Sequence, residues 1–150
     1  MTEQTPGPTS GRLIRAARPE DVPAMLGFDA YASAHPGRGL AIHRAVEQGQ
    51  CWVEVESASV LGYLLLSHDF FDQGFVSLVV VAPDQQRRGV ALRLLEAAQQ
   101  ACRTAKLFIS TNRSNQAARA LIAKAGFLPS GVVENLDQND PELIYFKPVR

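Results

Sequence analysis

The hexapeptide Gln86-Arg87-Arg88-Gly89-Val90-Ala91 carries the residue types best suited to hold a charged ligand. It follows a run of β-branched residues ending at Val81 and precedes an amphipathic stretch, so it lies where a buried strand turns into a helix. The first N–H groups of such a helix lack partners within it, and together with the helix dipole they form a site for an anion. Gly89 and Ala91 allow a ligand to close on that backbone, while Arg87 and Arg88 add charge. Each charge-assisted hydrogen bond contributes ~1.5–3 kcal/mol, so about four or five amides and one arginine suffice for a pyrophosphate. The same residues also suit a plain helix start with two solvated arginines. Rossmann and P-loop nucleotide sites fit less well, because neither G-x-G-x-x-G nor G-x-x-x-x-G-K-[ST] is present.

Other side chains offer proton transfer. His68, Asp69 and Asp72 cluster around an expected turn, where they face an acceptor or simply solvate the turn. Tyr31, Tyr63 and Tyr145 carry hydroxyls, although aromatic residues on core elements, Trp52 among them, are read as packing. His35 and His43 have no ligand spacing with a carboxylate or thiol, so no metal site is expected. Cys51 and Cys102 stand alone as small apolar residues, which suits a reducing, cytoplasmic setting.

Composition narrows the field. With 150 residues and 46% hydrophobic content, one continuous core is the expectation. Lys+Arg and Asp+Glu balance at 15 each, so no global field favours a nucleic acid, and an anion must be bound by local geometry. The longest apolar stretch, residues 76–82, is far shorter than the ~20 residues of a membrane helix. The opening MTEQTPGPTSG is polar and rich in Pro and Gly, which points to a disordered tail over residues 1–11 rather than a signal peptide. A single domain over residues 12–150 follows.

The elements that position the hexapeptide can be read from periodicity. Residues 12–16 form a first strand, and Pro19 with two following acids opens a helix that continues to Ala32. His35-Pro36-Gly37 breaks it, and a second helix runs from about Arg38 to Gln48. Residues 51–56 and 60–67 read as a hairpin, and residues 75–81 as a strand buried on both faces. Beyond Pro83 the period changes to about 3.6 through Ala91, Leu95, Ala98 and Cys102. A strand over residues 106–111, a helix over 115–125 and strands over 127–136 and 142–149 complete the order β-α-α-β-β-β-α-β-α-β-β.

Val79-Val80-Val81-Ala82-Pro83-Asp84-Gln85 followed by Gln86-Arg87-Arg88-Gly89-Val90-Ala91 resembles the signature of the GNAT N-acetyltransferase superfamily, V-x-P-x-x and then [QR]-x-x-G-x-[GA]. Asn115 to Phe127 resembles a second block of that superfamily, N-x-x-A-x-x-L-Y-x-K-x-G-F, with Ile122 in place of tyrosine. The likeness extends over about residues 12–149. It implies an α/β (α+β) fold with a mixed, mainly antiparallel central sheet flanked by helices, and acetyl-CoA as co-substrate. It further implies that the backbone of Val79, Val80 and Val81 pairs with the pantetheine arm in the manner of an added strand. Gln86 and the amides of Arg87, Arg88, Gly89, Val90 and Ala91 would hold the pyrophosphate. Asn115 would hydrogen-bond the pantetheine, with helix capping as its other reading, and Ala118 would leave room. The Val81 amide would act as oxyanion donor during direct acetyl transfer to a primary amine of a small molecule or peptide.

Departures from the superfamily pattern fall on the proton-transfer groups. The tyrosine that protonates sulfur is replaced by Ile122, and the two customary carboxylate positions correspond to Phe75 and about Ser110. Glu134, on a strand expected to wall the acceptor pocket, is the remaining candidate base, with an exposed strand-end charge as its alternative. A non-catalytic acyl-CoA-binding module is therefore a second reading. Residues 72–82 and 134–145 carry exposed-strand potential, and a homodimer formed by strand pairing is an expectation.

Overall fold

The computed structural model describes residues 11–150. The tail expected over residues 1–11 therefore lies outside the described residues, except for Gly11. The elements in chain order are β1 (Arg12–Ala16), α1 (Val22–Phe28), α2 (Ala30–Ala34), α3 (Pro36–Glu47), β2 (Cys51–Glu56), β3 (Ser59–Phe70), β4 (Gln73–Val81), α4 (Val90–Ala101), β5 (Lys106–Asn112), α5 (Gln116–Lys124), β6 (Leu128–Val133) and β7 (Glu142–Pro148).

The strands form a single seven-stranded sheet in the order β1-β2-β3-β4-β5-β7-β6. Only β4 and β5 run parallel; every other neighbour is antiparallel. This is the mixed α/β architecture, with helices on the sheet, that the resemblance implies. Strand alternation divides the core in two. One face carries Leu61, Leu64, Leu66, Val76, Leu107 and Ile109 against Leu94, Leu95 and Ala98 of α4 and Ile122 of α5. The other carries Val53, Tyr63 and Leu65 against Val22 and Met25 of α1 and Ile42, Ala45 and Val46 of α3. Each fully buried Leu or Ile contributes about 1.5–3 kcal/mol, so the packing on both faces holds β3 and β4 rigid at the middle of the molecule.

Local differences from the periodicity have tertiary causes. The single helix expected to run to Ala32 is broken at Asp29, whose backbone leaves helical geometry (φ −92, ψ 94). Its carboxylate, 4% exposed, accepts hydrogen bonds from the Tyr63 hydroxyl at 2.5 Å and from Arg38 at 2.7 Å. Reaching those partners pulls the chain out of the helix. Pro36, read as a breaker, instead occupies the first turn of α3, where its missing N–H costs no bond. Residues 72–82, read as carrying exposed-strand potential, contain β4, which lies inside the sheet, paired with β3 along its length and with β5 over Gly74–Val76. The edge strands are β1 and β6, and β6 leaves Leu128, Val132 and Val133 exposed.

Candidate active site

The most distinctive feature of the sheet is where it comes apart. β4 and β5 pair only over Gly74 to Leu107, Phe75 to Phe108 and Val76 to Ile109, after which the two strands diverge. The cause lies on the other side of β4. Leu65 pairs with Leu78 but Leu66 with Val76, so Ser77 is an extra residue, and such a bulge bends its strand. β5 continues straight because it stays paired with β7 as far as Asn112. Between them opens a cleft of about 860 Å³, walled by Ser77, Leu78, Val79 and Val81 on one side and by Ser110, Thr111, Ala118 and Ile122 on the other.

Backbone groups line this gap. The Ala82 N–H donates to the Leu61 carbonyl at 2.8 Å, while Val81 lies opposite Gly62. Val81 is therefore in a non-hydrogen-bonded pair with β3, and its N–H and C=O point the other way, into the cleft; Val79, two residues earlier, is oriented alike. Val80 alternates. It pairs with Tyr63, its side chain packs in the α1/α3 core, and it is not part of the cleft wall.

At the end of β4 the chain makes a short turn over Pro83–Gln85 and enters α4 with Gly89 as N-cap. Gly89 has φ 80 and Arg87 φ 67, a left-handed pair that turns the backbone through the loop. Gln85, Gln86, Arg87, Gly89, Val90 and Ala91 all line the cleft. Arg88 does not. Its guanidinium bonds Gln85 and, at 3.4 Å, Glu56 of β2, so the two adjacent arginines have different surroundings. Gly62 allows the loop and helix to sit this close to the sheet, since a Cβ there would lie 2.9 Å from both the Val80 carbonyl and Val90.

Across the cleft, Asn115 is the N-cap of α5, its Oδ1 accepting from the Ala118 N–H at 3.0 Å. The capping alternative is thus realised. The preceding Ser114 gives its N–H and hydroxyl to Asp140 at 3.0 and 2.6 Å. Asn115 nevertheless lines the cleft, with its carboxamide NH₂ as the group left to meet a ligand. Ile122, 2% exposed, fills the position where the superfamily has tyrosine, packed in the core and touching the cleft.

Among the proton-transfer candidates, Glu134 follows the end of β6, exposed and outside the cleft wall. His68 accepts a hydrogen bond from the Arg103 N–H at 3.0 Å, and burial together with Arg103 lowers its pKa. Asp69 accepts from Ser67. Neither residue, nor Asp72, reaches the cleft. Sequence reasoning missed a carboxylate. Glu142 of β7 is half-buried and accepts a 2.7 Å hydrogen bond from the Ser110 hydroxyl, and Ser110 lines the cleft one residue beyond the last β4–β5 pair. No periodicity could have revealed it, because the contact depends on β5 and β7 being neighbours. Among the described residues no group of three or more His, Cys, Asp or Glu is placed to hold a metal, and no helix is long and apolar enough to cross a membrane.

A family model for the acetyltransferase (GNAT) family matches residues 18–127, which span the diverging strands, the loop and α5. The chain belongs to the GNAT family. It is accordingly an acyl-CoA-dependent N-acyltransferase. A GNAT-family acetyltransferase structure from Bacillus cereus is 34% identical, covering 91% of this chain and 96% of that one with a TM-score of 0.85. At lower identity the fold recurs. A Salmonella typhimurium protein solved with its cofactor acetyl-CoA is 18% identical over 93% of this chain and 95% of its own, with a TM-score of 0.73. The ribosomal-protein-S18-alanine N-acetyltransferase of Escherichia coli is 21% identical over 92% and 94%, with a TM-score of 0.75. No curated protein matches this GNAT chain in a sequence search.

Proposed function

We propose that the protein transfers an acetyl group from acetyl-CoA directly to a primary amine of a small molecule or peptide. The observation that carries this is the divergence of β4 from β5, which leaves two inward-facing peptide groups, at Val79 and Val81, directly upstream of an amide-rich loop. An extended pantetheine arm can add to that half-strand as a β-strand would, with Asn115 and the small Ala118 opposite. The loop residues Gln86, Arg87, Gly89, Val90 and Ala91 suit a pyrophosphate, their unpaired N–H groups reinforced by the dipole of α4. Bound acetyl-CoA supplies an activated acetyl group on sulfur.

Direction decides which amide does what. The loop adjoins Val81, so the acyl end of the arm must lie further back along β4, toward Ser77. Val79 is one inward-facing step, about 7 Å, closer to that end. In this reading the Val79 N–H polarises the thioester carbonyl, and the Val81 peptide group, the donor expected from the resemblance, pairs with the pantetheine. Proximity then supplies much of the rate.

The amine must lose a proton, since its reference pKa of ~10.4 keeps it charged near neutrality. The cleft wall itself holds no carboxylate. Glu142, one hydrogen bond behind Ser110, is the proton acceptor in this reading, with Ser110 or a water relaying the proton. The departing thiolate, near ~8.5, has a modest need for an acid, which is consistent with Ile122 in place of tyrosine. Glu142→Gln is expected to lower kcat/KM by about 10²-fold, whereas Glu134→Gln leaves it unchanged. The reverse pattern would restore Glu134 as the base.

Thiol release from acetyl-CoA with a panel of amines, beside calorimetric binding, checks turnover directly: release with at least one primary amine is the expected outcome. A cytoplasmic setting accompanies this reading, supported by the free thiols of buried Cys51 and Cys102.

A further inference from the structure

A second cavity, of about 640 Å³, lies on the α1/α3 side of the sheet. Its lining includes Tyr31, His35, Arg38 and Leu65, together with Ser77 and Leu78, which also line the cofactor cleft. Both cavities therefore border the β4 bulge, next to where the proposed acyl transfer takes place. We propose that this second cavity is the acceptor subsite and that it selects an amine bearing a carboxylate, which Arg38 binds. The proposal rests on the cofactor reading above for the position of the reacting carbon.

Charge selects the class of acceptor. The titratable groups lining the cavity are two bases and Tyr31, with no acid among them, and the cleft wall it joins holds no acid either. A polycation such as a polyamine would find no counter-charge along this path, whereas a carboxylate meets Arg38 and His35. The acid paired with Arg38 is already committed. Asp29 lies beneath the lining, 4% exposed, and receives both the Tyr63 hydroxyl and Arg38 Nη1.

Arg38 is held in place before any ligand arrives. Asp29 fixes one nitrogen at 2.7 Å, and the guanidinium carbon lies 4.4 Å from the centroid of the Tyr31 ring. That ring stacks in turn on His35, with centroids 3.6 Å apart and planes 5° from parallel. His35 is itself tethered, its Nδ1 3.0 Å from the Tyr31 carbonyl. The fork is thus clamped on one face and at one nitrogen, which leaves its other N–H groups for a planar anion at little entropic cost. Because Asp29 offsets part of the charge, the site matches a monoanionic carboxylate better than a dianionic phosphate. An acceptor of this kind is a zwitterion, and it enters a pocket whose Arg38–Asp29 pair is close to neutral.

The test uses the full chain with acetyl-CoA binding established first by calorimetry; failure at that step sinks the cofactor reading and with it the position of this subsite. Thiol release is then followed with glycine, β-alanine, γ-aminobutyrate, L-glutamate and a glutamate-terminated dipeptide. Each is paired with its carboxamide, and spermidine and O-phosphoethanolamine serve as the polycation and phosphate arms. At least one acid is expected to exceed its own carboxamide in kcat/KM by about ten-fold or more, as a bidentate arginine contact provides. Arg38→Gln should abolish that preference through KM, with acetyl-CoA affinity retained. Arg38→Lys, which keeps the charge beside Asp29, should recover only part of it. If Arg38→Gln fails to fold, the pair Asp29→Asn with Arg38→Gln removes both charges together and should show the same loss. For slow acceptors, amide resonances of Tyr31, Ser77 and Leu78 in the CoA-saturated protein should move with the acids and not with their carboxamides. Acids and carboxamides used and bound alike, a preference for spermidine or the phosphate, or a carboxylate preference that survives in both Arg38 variants would each overturn the proposal.

Discussion

The Arg93 guanidinium grips the Glu54 carboxylate through Nε and Nη2 at 2.8 and 3.1 Å, tying the first turn of α4 to the middle of β2. Its remaining nitrogen, Nη1, donates to the Arg88 carbonyl at 2.9 Å, so one side chain fixes both the helix and the loop that precedes it. Glu54 is 1% exposed, and removing Arg93 would leave its charge buried and unpaired. Arg93→Met is expected to cost about 3 kcal/mol in urea unfolding, and the loosened loop to weaken acetyl-CoA binding measured by calorimetry. A variant as stable as the parent would mean that Glu54 finds another partner.

Gly89 combines φ 80 with an Arg93 Nη1 that would lie 2.9 Å from an added Cβ. Gly89→Ala therefore forces both left-handed strain and a clash onto the N-terminus of α4. Strain of about 1–2 kcal/mol is expected, together with roughly ten-fold weaker acetyl-CoA binding. Equal melting temperature and affinity would show that the loop tolerates a side chain here.

Arg87 lines the cleft, whereas Arg88 is paired with Glu56 and Gln85. The geometry therefore favours Arg87 as the side chain that meets a bound anion. Arg87→Ala is expected to weaken acetyl-CoA binding by about 10–100-fold, the value of one charge-assisted contact. Arg88→Ala should change it about three-fold or less, because an exposed pair contributes only ~0–1 kcal/mol. Calorimetry on the two variants checks the order, and the opposite ranking would mean that Arg88 swings into the cleft on binding.

Asp21 accepts hydrogen bonds from Arg15 at 2.7 and 3.0 Å and from the Arg18 N–H at 2.7 Å. Arg15 foremost, with Arg18, holds its carboxyl below the usual value of 3.8 against the opposing effect of burial. A carboxylate depressed in the folded state stabilises fully above its unfolded value and loses that contribution as pH falls through its folded value. Stability of the parent should therefore drop as pH falls below about 4 by more than that of Asp21→Asn, as read from urea midpoints. Parallel curves would assign the acid sensitivity to other carboxylates.

Much of this protein was legible in its residues because the informative signals are local. The alternation in Cys51–Glu56, the apolar run before Pro83 and the 3.6-residue period after Gly89 each reflect a face that must be buried, and the elements lie within a few residues of their expected places. The loop from Gln86 to Ala91 could be singled out because a strand-to-helix junction with small residues has the same backbone physics wherever it occurs. Local signals also misled where a distant partner prevailed: Asp29 breaks a helix because Tyr63 and Arg38 draw on its carboxylate.

What the sequence alone determined was the order of strands and helices apart from the break at Asp29, the loop of unpaired amides and the family those residues resemble. The tertiary structure decided the rest. It set how far β4 stays with β5, which arginine faces the cleft, that Asn115 caps α5, and that Glu142 comes to rest against Ser110. These are contacts between groups far apart along the chain, and they depend on sheet order and on one bulge at Ser77. Periodicity reports which face of an element is buried, but not which other element it meets there.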